Sequence, residues 1–181
     1  MARLKLATVW LGGCSGCHMS FLDLDEWLID LAQQVDIVYS PLADIKEYPQ
    51  GVDVVLVEGA IANEEHLEMI RTVRERSQIL ISFGDCAVTG NVTALRNPLG
   101  KAESVLQSCY IEAADIYGQI PQAPGIVPPL LDRVQQVHKV VPVDIYLLGC
   151  PPSATRIRAV LEPILQGKKP QLEGREFIKY G

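Results

Sequence analysis

The sequence predicts an α/β fold, one parallel β-sheet with helices on both of its faces, in a single domain. Two patterns and the length of the chain predict it. Short, nearly unbroken apolar runs such as Val52–Val57 and Ile79–Phe83 have the composition of central parallel strands, which are buried on both faces and so show no polar alternation. Between such runs, apolar residues recur at helical spacing, and strands alternating with helices imply a parallel sheet covered on both sides. The 181 residues are enough for one sizeable core. Residues 1–167 are expected to form the domain, with 168–181 as a carboxyl-terminal tail.

Arg3–Leu11 reads as the first strand, β-branched and apolar with no turn former. A Gly/Cys loop follows, then one helix carrying Phe21, Leu24, Leu28 and Leu31 on a stripe. Val35–Ser40 is a second strand, and Pro41–Gly51 a loop punctuated by Pro41, Pro49 and Gly51. After Val52–Val57, Asn63 followed by Glu64 and Glu65 is a helix start, an N-cap with acids complementing the dipole. That helix runs to about Ser77 and leads into Ile79–Phe83. Gly100–Glu112 reads as a helix with Ala102, Val105, Leu106 and Cys109 on its apolar face. Ala113–Pro129 holds two glycines and four prolines and reads as a long loop, of the kind that is functional or covers a partner. A short helix near Leu130–Val137, a last strand at Val143–Leu148 and a final helix from Ser153 complete the chain. Pro163 is expected to bend that helix.

Composition excludes several classes. The formal net charge of −6 and the lack of a basic stripe argue against a nucleic-acid partner. Lys168-Lys169 is the only adjacent basic pair. No run approaches the ~20 apolar residues of a membrane span, and Met1–Leu11 is too short an apolar stretch for a signal peptide. A cytoplasmic location is expected. In a reducing compartment, placed cysteines are metal-binding or catalytic more often than disulfide-bonded.

Four of the five cysteines sit just past a strand-like run, each beside glycine or proline: Gly12-Gly-Cys14-Ser-Gly-Cys17, Gly84-Asp-Cys86 and Gly149-Cys150-Pro-Pro. In an open α/β sheet the carboxyl ends of the strands line one crevice, so these thiolates converge at one edge. Cys14-Ser-Gly-Cys17-His18 also matches the c-type haem attachment pattern, and a C-x-x-C between strand and helix matches a thioredoxin-like redox pair. Both readings leave Cys86 and Cys150 unused. Zinc accepts four cysteines but favours two close-spaced pairs, and here there is one pair and two singletons. An iron–sulfur cluster suits thiolates on glycine-rich loops, where the main chain can approach the sulfurs. Cys109, on a helix face, reads as a small buried hydrophobe.

The motifs Gly12-Gly-Cys14-Ser-Gly-Cys17, Val57-Glu58-Gly59-Ala60-Ile61, Gly84-Asp-Cys86-Ala-Val-Thr-Gly90-Asn91 and Gly149-Cys150-Pro151-Pro152 together resemble the small, cluster-bearing subunit of nickel–iron hydrogenases, most closely the cytoplasmic NAD-reducing type. They keep that family's order from residue 4 to about 170. The resemblance implies a flavodoxin-like fold and one [4Fe-4S] cluster on Cys14, Cys17, Cys86 and Cys150, the proximal cluster beside the nickel–iron centre. It implies as partners a nickel–iron large subunit and the iron–sulfur and flavin subunits of a diaphorase reducing NAD. Exported members carry a twin-arginine signal and a carboxyl-terminal domain with two more clusters, and neither is expected here. The quinone-site subunit of respiratory complex I shares the fold, but has two adjacent cysteines where this chain has Cys14 and Cys17. Coenzyme-F420-type and sulfur-reducing hydrogenases have similar small subunits.

Glu58 ends an apolar strand and faces the same crevice; it reads either as a surface or capping carboxylate before the Asn63 helix or as a buried acid beside the cluster. Asp85 reads as a turn residue. Trp10 or Tyr117 has the ring to stack on FMN, which flavodoxin-like sheets bind at this edge, although packing or a partner contact explains them as well. No GxGxxG or P-loop fingerprint appears, so the chain itself is not expected to bind NAD. The apolar side chains Ile116, Tyr117, Ile120, Ile126 and Val127 in the long loop are expected to meet the large subunit.

Overall fold

The computed structural model describes residues 3–178. Among them are the strands β1 (Leu4–Trp10), β2 (Val35–Tyr39), β3 (Val52–Glu58), β4 (Ile61–Asn63), β5 (Ser77–Phe83), β6 (Leu130–Gln135) and β7 (Ile145–Leu147). Five of these form one parallel sheet in the order β2-β1-β3-β5-β7. Counted among themselves along the chain, they lie as 2-1-3-4-5, the flavodoxin-like order of a doubly wound sheet.

Successive side chains of a strand point to opposite faces, and the core divides accordingly. Val54 and Leu56 of β3 join Leu6, Ile81, Phe83 and Leu147 on one face. There they pack against α1 (Gly16–Leu22), α2 (Trp27–Gln34) and α7 (Ala154–Leu165) through Phe21, Leu31, Ile157 and Leu161. Val55 and Val57 join Ala7, Val9 and Leu80 on the other face, against α3 (Glu64–Arg76), α4 (Asp85–Thr89) and α6 (Val137–Val140). Val55, Leu56 and Val57 are wholly buried, and burying each such side chain contributes about 1.5–3 kcal/mol. The apolar run that reads as a two-sided strand is therefore the central strand.

The Asn63 cap forms as read: its Oδ1 accepts from the His66 backbone N–H at 2.7 Å, with Glu64 and Glu65 in the first turn of α3. Ser153 caps α7 in the same way, its Oγ accepting from Arg156 N–H at 3.4 Å. Pro163 lies in the last turn of α7, which stops at Leu165.

Three expectations need correction. The single helix expected over Phe21–Leu31 is two, α1 and α2, separated by a turn in which Asp25 takes φ 49°. The intervening Asp23-Leu-Asp-Glu run is rich in residues that compete with helix, and Asp tolerates the left-handed region. Leu24 stays buried, so the stripe persists where the helix does not. The helix expected over Leu130–Val137 is instead strand β6, antiparallel to β4, and only then the short α6. Tertiary pairing decides this six-residue stretch, whose period favours neither state. Asn97 then closes on Val134 in both directions, N–H to Oδ1 at 2.8 Å and Nδ2 to carbonyl at 3.0 Å. Finally, the helix expected over Gly100–Glu112 is α5 (Ala102–Gln107), ending in a widened turn over Ser108–Glu112. Cys109 is exposed there rather than held on a buried face.

After α7 the chain turns at Gly167, and Leu172 packs against the core. The short α8 (Arg175–Ile178) follows; residues 179–181 of the expected tail lie outside the described residues. Among the described residues no helix is long and apolar enough to cross a membrane.

Candidate metal centre

All three cysteine loops leave the carboxyl ends of strands: Cys14 and Cys17 after β1, Cys86 after β5, Cys150 after β7. The first loop is closed by the main chain. Gly12 and Ala60 exchange N–H to carbonyl bonds of 2.9 and 2.8 Å, and Leu11 N–H reaches Glu58 O at 2.9 Å. Gly59 takes φ 90°, and a Cβ on it would stand 2.9 Å from the carbonyl carbons of Leu11 and Gly12. The close approach of these two segments therefore requires glycine.

Glu58 is neither a surface group nor the cap of α3. It is buried, and its carboxylate reaches from β3 to the first turn of α1, accepting from His18 N–H at 3.0 Å and Cys17 N–H at 3.4 Å. The same carboxylate pairs with His18 Nδ1. An acid from a neighbouring strand thus satisfies amides that a helix start leaves open and fixes the turn that carries Cys17. His18 is a buried residue beside the site, with Phe83 at its ring edge.

The second and third loops are bound to each other. Asp85 N–H donates to Gly149 O at 2.9 Å, and Asp85 Oδ1 accepts from Gly149 N–H at 2.7 Å. Gly84 N–H donates to Leu147 O at 2.8 Å. Asp85, read as a turn residue, is the clasp that sets Cys86 against Cys150. Gly84, at φ 85°, lies directly beneath a ligand candidate: a Cβ there would stand 2.2 Å from Cys17 Sγ. The loop after β5 is therefore a cradle for a thiol from the loop after β1.

The four thiols share one electrostatic environment. Burial pushes the Cys17 thiol well up from its ordinary value, followed by the Glu58 carboxylate and then by Cys86, Cys14 and Cys150. Burial also raises Cys86, with the nearby Thr93 hydroxyl opposing it, Cys14 and Cys150 adding to it and the Val92 backbone opposing it. The Thr93 hydroxyl donates to Gly12 O at 2.8 Å, which ties the segment after α4 to the first cysteine loop. Cys17 and Cys86 are buried, whereas Cys14 and Cys150 are exposed, giving the group an inner and an outer half. Cys109 has no part in it. Among the described residues no three His, Cys, Asp or Glu side chains are spaced to hold a single metal ion. Burial and mutual repulsion both disfavour four thiolates here, and a multi-iron centre, whose positive charge deprotonates coordinating thiols, fits this donor set.

Asn91 Nδ2 donates to Cys150 Sγ at 3.3 Å, a contact that the sequence marks only by the Gly90-Asn91 pair. Trp10 is half-exposed and its indole N–H donates to Gly13 O at 3.1 Å, on the first cysteine loop. Tyr117 stands 95% exposed on the long loop. Among the described residues neither ring stacks on another aromatic one.

The profile of the family described as NADH ubiquinone oxidoreductase, 20 Kd subunit, matches residues 14–164. One subunit of the F420-non-reducing hydrogenase vhu of Methanocaldococcus jannaschii is 39% identical over 171 residues, 93% of this chain and 58% of that protein. The NAD-reducing hydrogenase HoxS subunit delta of Cupriavidus necator is 37% identical over 172 residues, 92% of this chain and 80% of that protein. Among solved structures, a chain of the NAD+-reducing [NiFe]-hydrogenase in the H2-reduced state superimposes with a TM-score of 0.93 at 36% identity, covering 99% of this chain and 100% of that one. The chain spans less than two thirds of the methanogen relative and four fifths of the HoxS protein. A doubly wound sheet with four cysteines at its carboxyl edge, matched along nearly its whole length, thus belongs to the family of NADH ubiquinone oxidoreductase, 20 Kd subunit, and its relatives at this identity are hydrogenase subunits.

Proposed function

We propose that this chain is the electron-transfer subunit of a cytoplasmic nickel–iron hydrogenase, inactive alone, holding one [4Fe-4S] cluster on Cys14, Cys17, Cys86 and Cys150. The observation that carries the reading is the clustering of those four thiols, from three strand ends, in one another's field. Likeness to HoxS subunit delta and to the NAD+-reducing [NiFe]-hydrogenase chain supports it. Such a cluster, when bound, supplies one-electron transfer between the hydrogen site of a large subunit and a diaphorase module that reduces NAD. The protein's own residues do the rest. Glu58 fixes the Cys17 turn, the Asp85–Gly149 clasp fixes Cys86 against Cys150, and Gly84 leaves room for the Cys17 sulfur.

The outer half of the site and the long loop are the surface for the large subunit. Ile116, Tyr117 and Ile126 are 82–95% exposed, while Val127 is 40% exposed and Ile120 is partly buried, so the loop leaves most of its large apolar surface unburied. Obligate interfaces of this kind bury on the order of 2,000–5,000 Å² with an apolar core. A second reading, an acceptor other than NAD, is favoured by the equally strong likeness to the F420-non-reducing hydrogenase relative.

Anaerobic purification with co-purifying subunits, followed by iron and sulfide analysis and electron paramagnetic resonance, tests the proposal. About four irons and four sulfides per chain with a reducible cluster signal are expected. A colourless protein that binds only zinc after reconstitution would sink it. NAD reduction by hydrogen in the purified complex decides between the two acceptors.

A further inference from the structure

The strand-end loops place the cysteines, but a separate segment supplies hydrogen-bond donors to them. Immediately after α4, Gly90 takes φ 87° and turns the chain into a 3₁₀ segment over Asn91–Leu99. Asn91 Nδ2 donates to Cys150 Sγ at 3.3 Å, and the Thr93 hydroxyl donates to Gly12 O on the first cysteine loop. Asn91 itself takes φ 32°, a conformation uncommon outside glycine and tolerated by asparagine. Such strain persists only where the surroundings over-determine it, and here they do. Asn91 N–H donates to Thr89 Oγ1 at 3.3 Å, Ala94 N–H to Gly90 O at 3.0 Å, and Thr93 Oγ1 lies 2.8 Å from Gly12 O. The turn is held at both ends, and its amide is aimed at an outer thiol.

We propose that Asn91 is a positioning residue that sets the reduction potential of the centre by donating its carboxamide hydrogen to the Cys150 sulfur, which rests on the cluster assignment above. Hydrogen bonds to the sulfurs are among the factors that set the potential of an iron–sulfur centre. Reduction adds negative charge, which spreads onto the ligand sulfurs, so a donor stabilises the reduced form more than the oxidised one. Donation at Cys150 therefore raises the potential and makes the centre a readier acceptor. Cys150 is exposed in the chain alone, unlike Cys17 and Cys86, and under a covering partner no water is left to replace the amide, so the donor counts for more at low local dielectric. Among the described residues the Asn91 amide has Cys150 Sγ as its hydrogen-bond partner, and that bond explains why a strained turn carries an amide rather than glycine.

The test is a redox titration, followed by electron paramagnetic resonance, on the complex purified anaerobically from cells expressing the full chain. Asn91→Gly removes the donor and keeps the backbone conformation free of strain. Its midpoint is expected to fall so that the ratio of reduced to oxidised centre at fixed potential drops about tenfold, or 59 mV for one electron. Asn91→Asp, which places an anion beside the thiolate, is expected to fall further, and iron and sulfide content should stay at the unmodified level in both. An unchanged midpoint in a fully loaded Asn91→Gly protein overturns the proposal while leaving the cluster assignment intact. Absence of iron and sulfide from the unmodified protein overturns the cluster assignment itself. Should either variant fail to load, the unmodified protein still decides: asparagine labelled with ¹⁵N in the side chain must give a nitrogen coupling to the reduced centre in pulsed resonance. No coupling means no hydrogen bond and ends the proposal.

Discussion

The carboxyl edge of the sheet and the segment from residue 91 to 129 treat their apolar residues in opposite ways. At the edge, Val57, Phe83 and Leu147 are buried, and each loop leaving it is closed by backbone hydrogen bonds to its neighbour. In the segment, Leu95, Leu99, Ile116, Tyr117 and Ile126 are all more than two-thirds exposed. The first region is finished by the chain's own packing. The second presents large apolar groups that folding leaves in water, a pattern that marks interaction surfaces. Substitutions at the edge should therefore damage the protein itself, and substitutions of the segment's exposed apolar side chains should damage only what they join.

The largest effect is expected at the ligands. Serine at Cys14, Cys17, Cys86 or Cys150 should each lose or degrade the cluster, read as iron content and resonance signal, while Cys109→Ser retains both. Signal loss in the Cys109 variant would show that the ligand count is wrong. Gly84→Ala comes next. Its Cβ meets Cys17 Sγ at 2.2 Å on a backbone with φ 85°, and overpacking with left-handed strain together costs about 2–5 kcal/mol. Urea denaturation measures it, and a cost under about 1 kcal/mol, the lower end for overpacking alone, would mean the two loops are not in contact.

Glu58→Ala follows, since it leaves two buried amides and His18 without their acceptor. Leaving buried donors without an acceptor costs about 1–3 kcal/mol, whereas Glu58→Gln keeps an acceptor oxygen and should lose less. Equal losses for the two would deny the carboxylate its capping role. In the other region, Tyr117→Ser should change the stability of the isolated chain by no more than about 0.5 kcal/mol. Its association with the large subunit should weaken by about tenfold or more, as truncating an aromatic anchor does. Hydrogen exchange across residues 113–129, with and without that partner, is a second readout, and unchanged protection refutes the interface.

The smallest effect lies at the seam between the regions, where His66 Nδ1 accepts from Ala62 N–H at 3.3 Å. Burial lowers the His66 pKa below its ordinary value, so the unfolded chain binds the proton more readily than the folded one. The stabilisation is complete above about pH 6.5 and is lost as pH falls through the lowered folded value. His66→Gln should flatten the dependence of the denaturation midpoint on pH in that acid range; an unaltered slope assigns it to other groups.

Much of this molecule is legible in its sequence because the signals are covalently local. Cysteine next to glycine after an apolar run is a strand-end loop wherever it occurs in a doubly wound sheet, so the site's place follows from the fold class. What escapes is set by partners distant in the chain. The three-residue β4 has too little sequence to show a period, and β6 is a strand only because β4 and Asn97 complete its hydrogen bonds. Asp85 reads as a turn residue because its acceptor role depends on Gly149, 64 residues away. Glu58 is ambiguous for the same reason, its contacts lying 40 and 41 residues back. Cys109 is misplaced by any reading that extends the helix pattern past Gln107 into a widened turn.

The clasp between Asp85 and Gly149 also has a temporal side. A ribosome releases Cys14, Cys17 and Cys86 long before it has made the fourth thiol, and β7, the strand that brings Cys150 to its place, is only three residues long and pairs with β5 alone. A nascent chain can fold most of its sheet and still offer an incomplete set of ligands. Translation must pass residue 150 and the last strand must dock before the four thiols meet, so a cluster on this set of ligands, as proposed, can be completed only late in the protein's biogenesis.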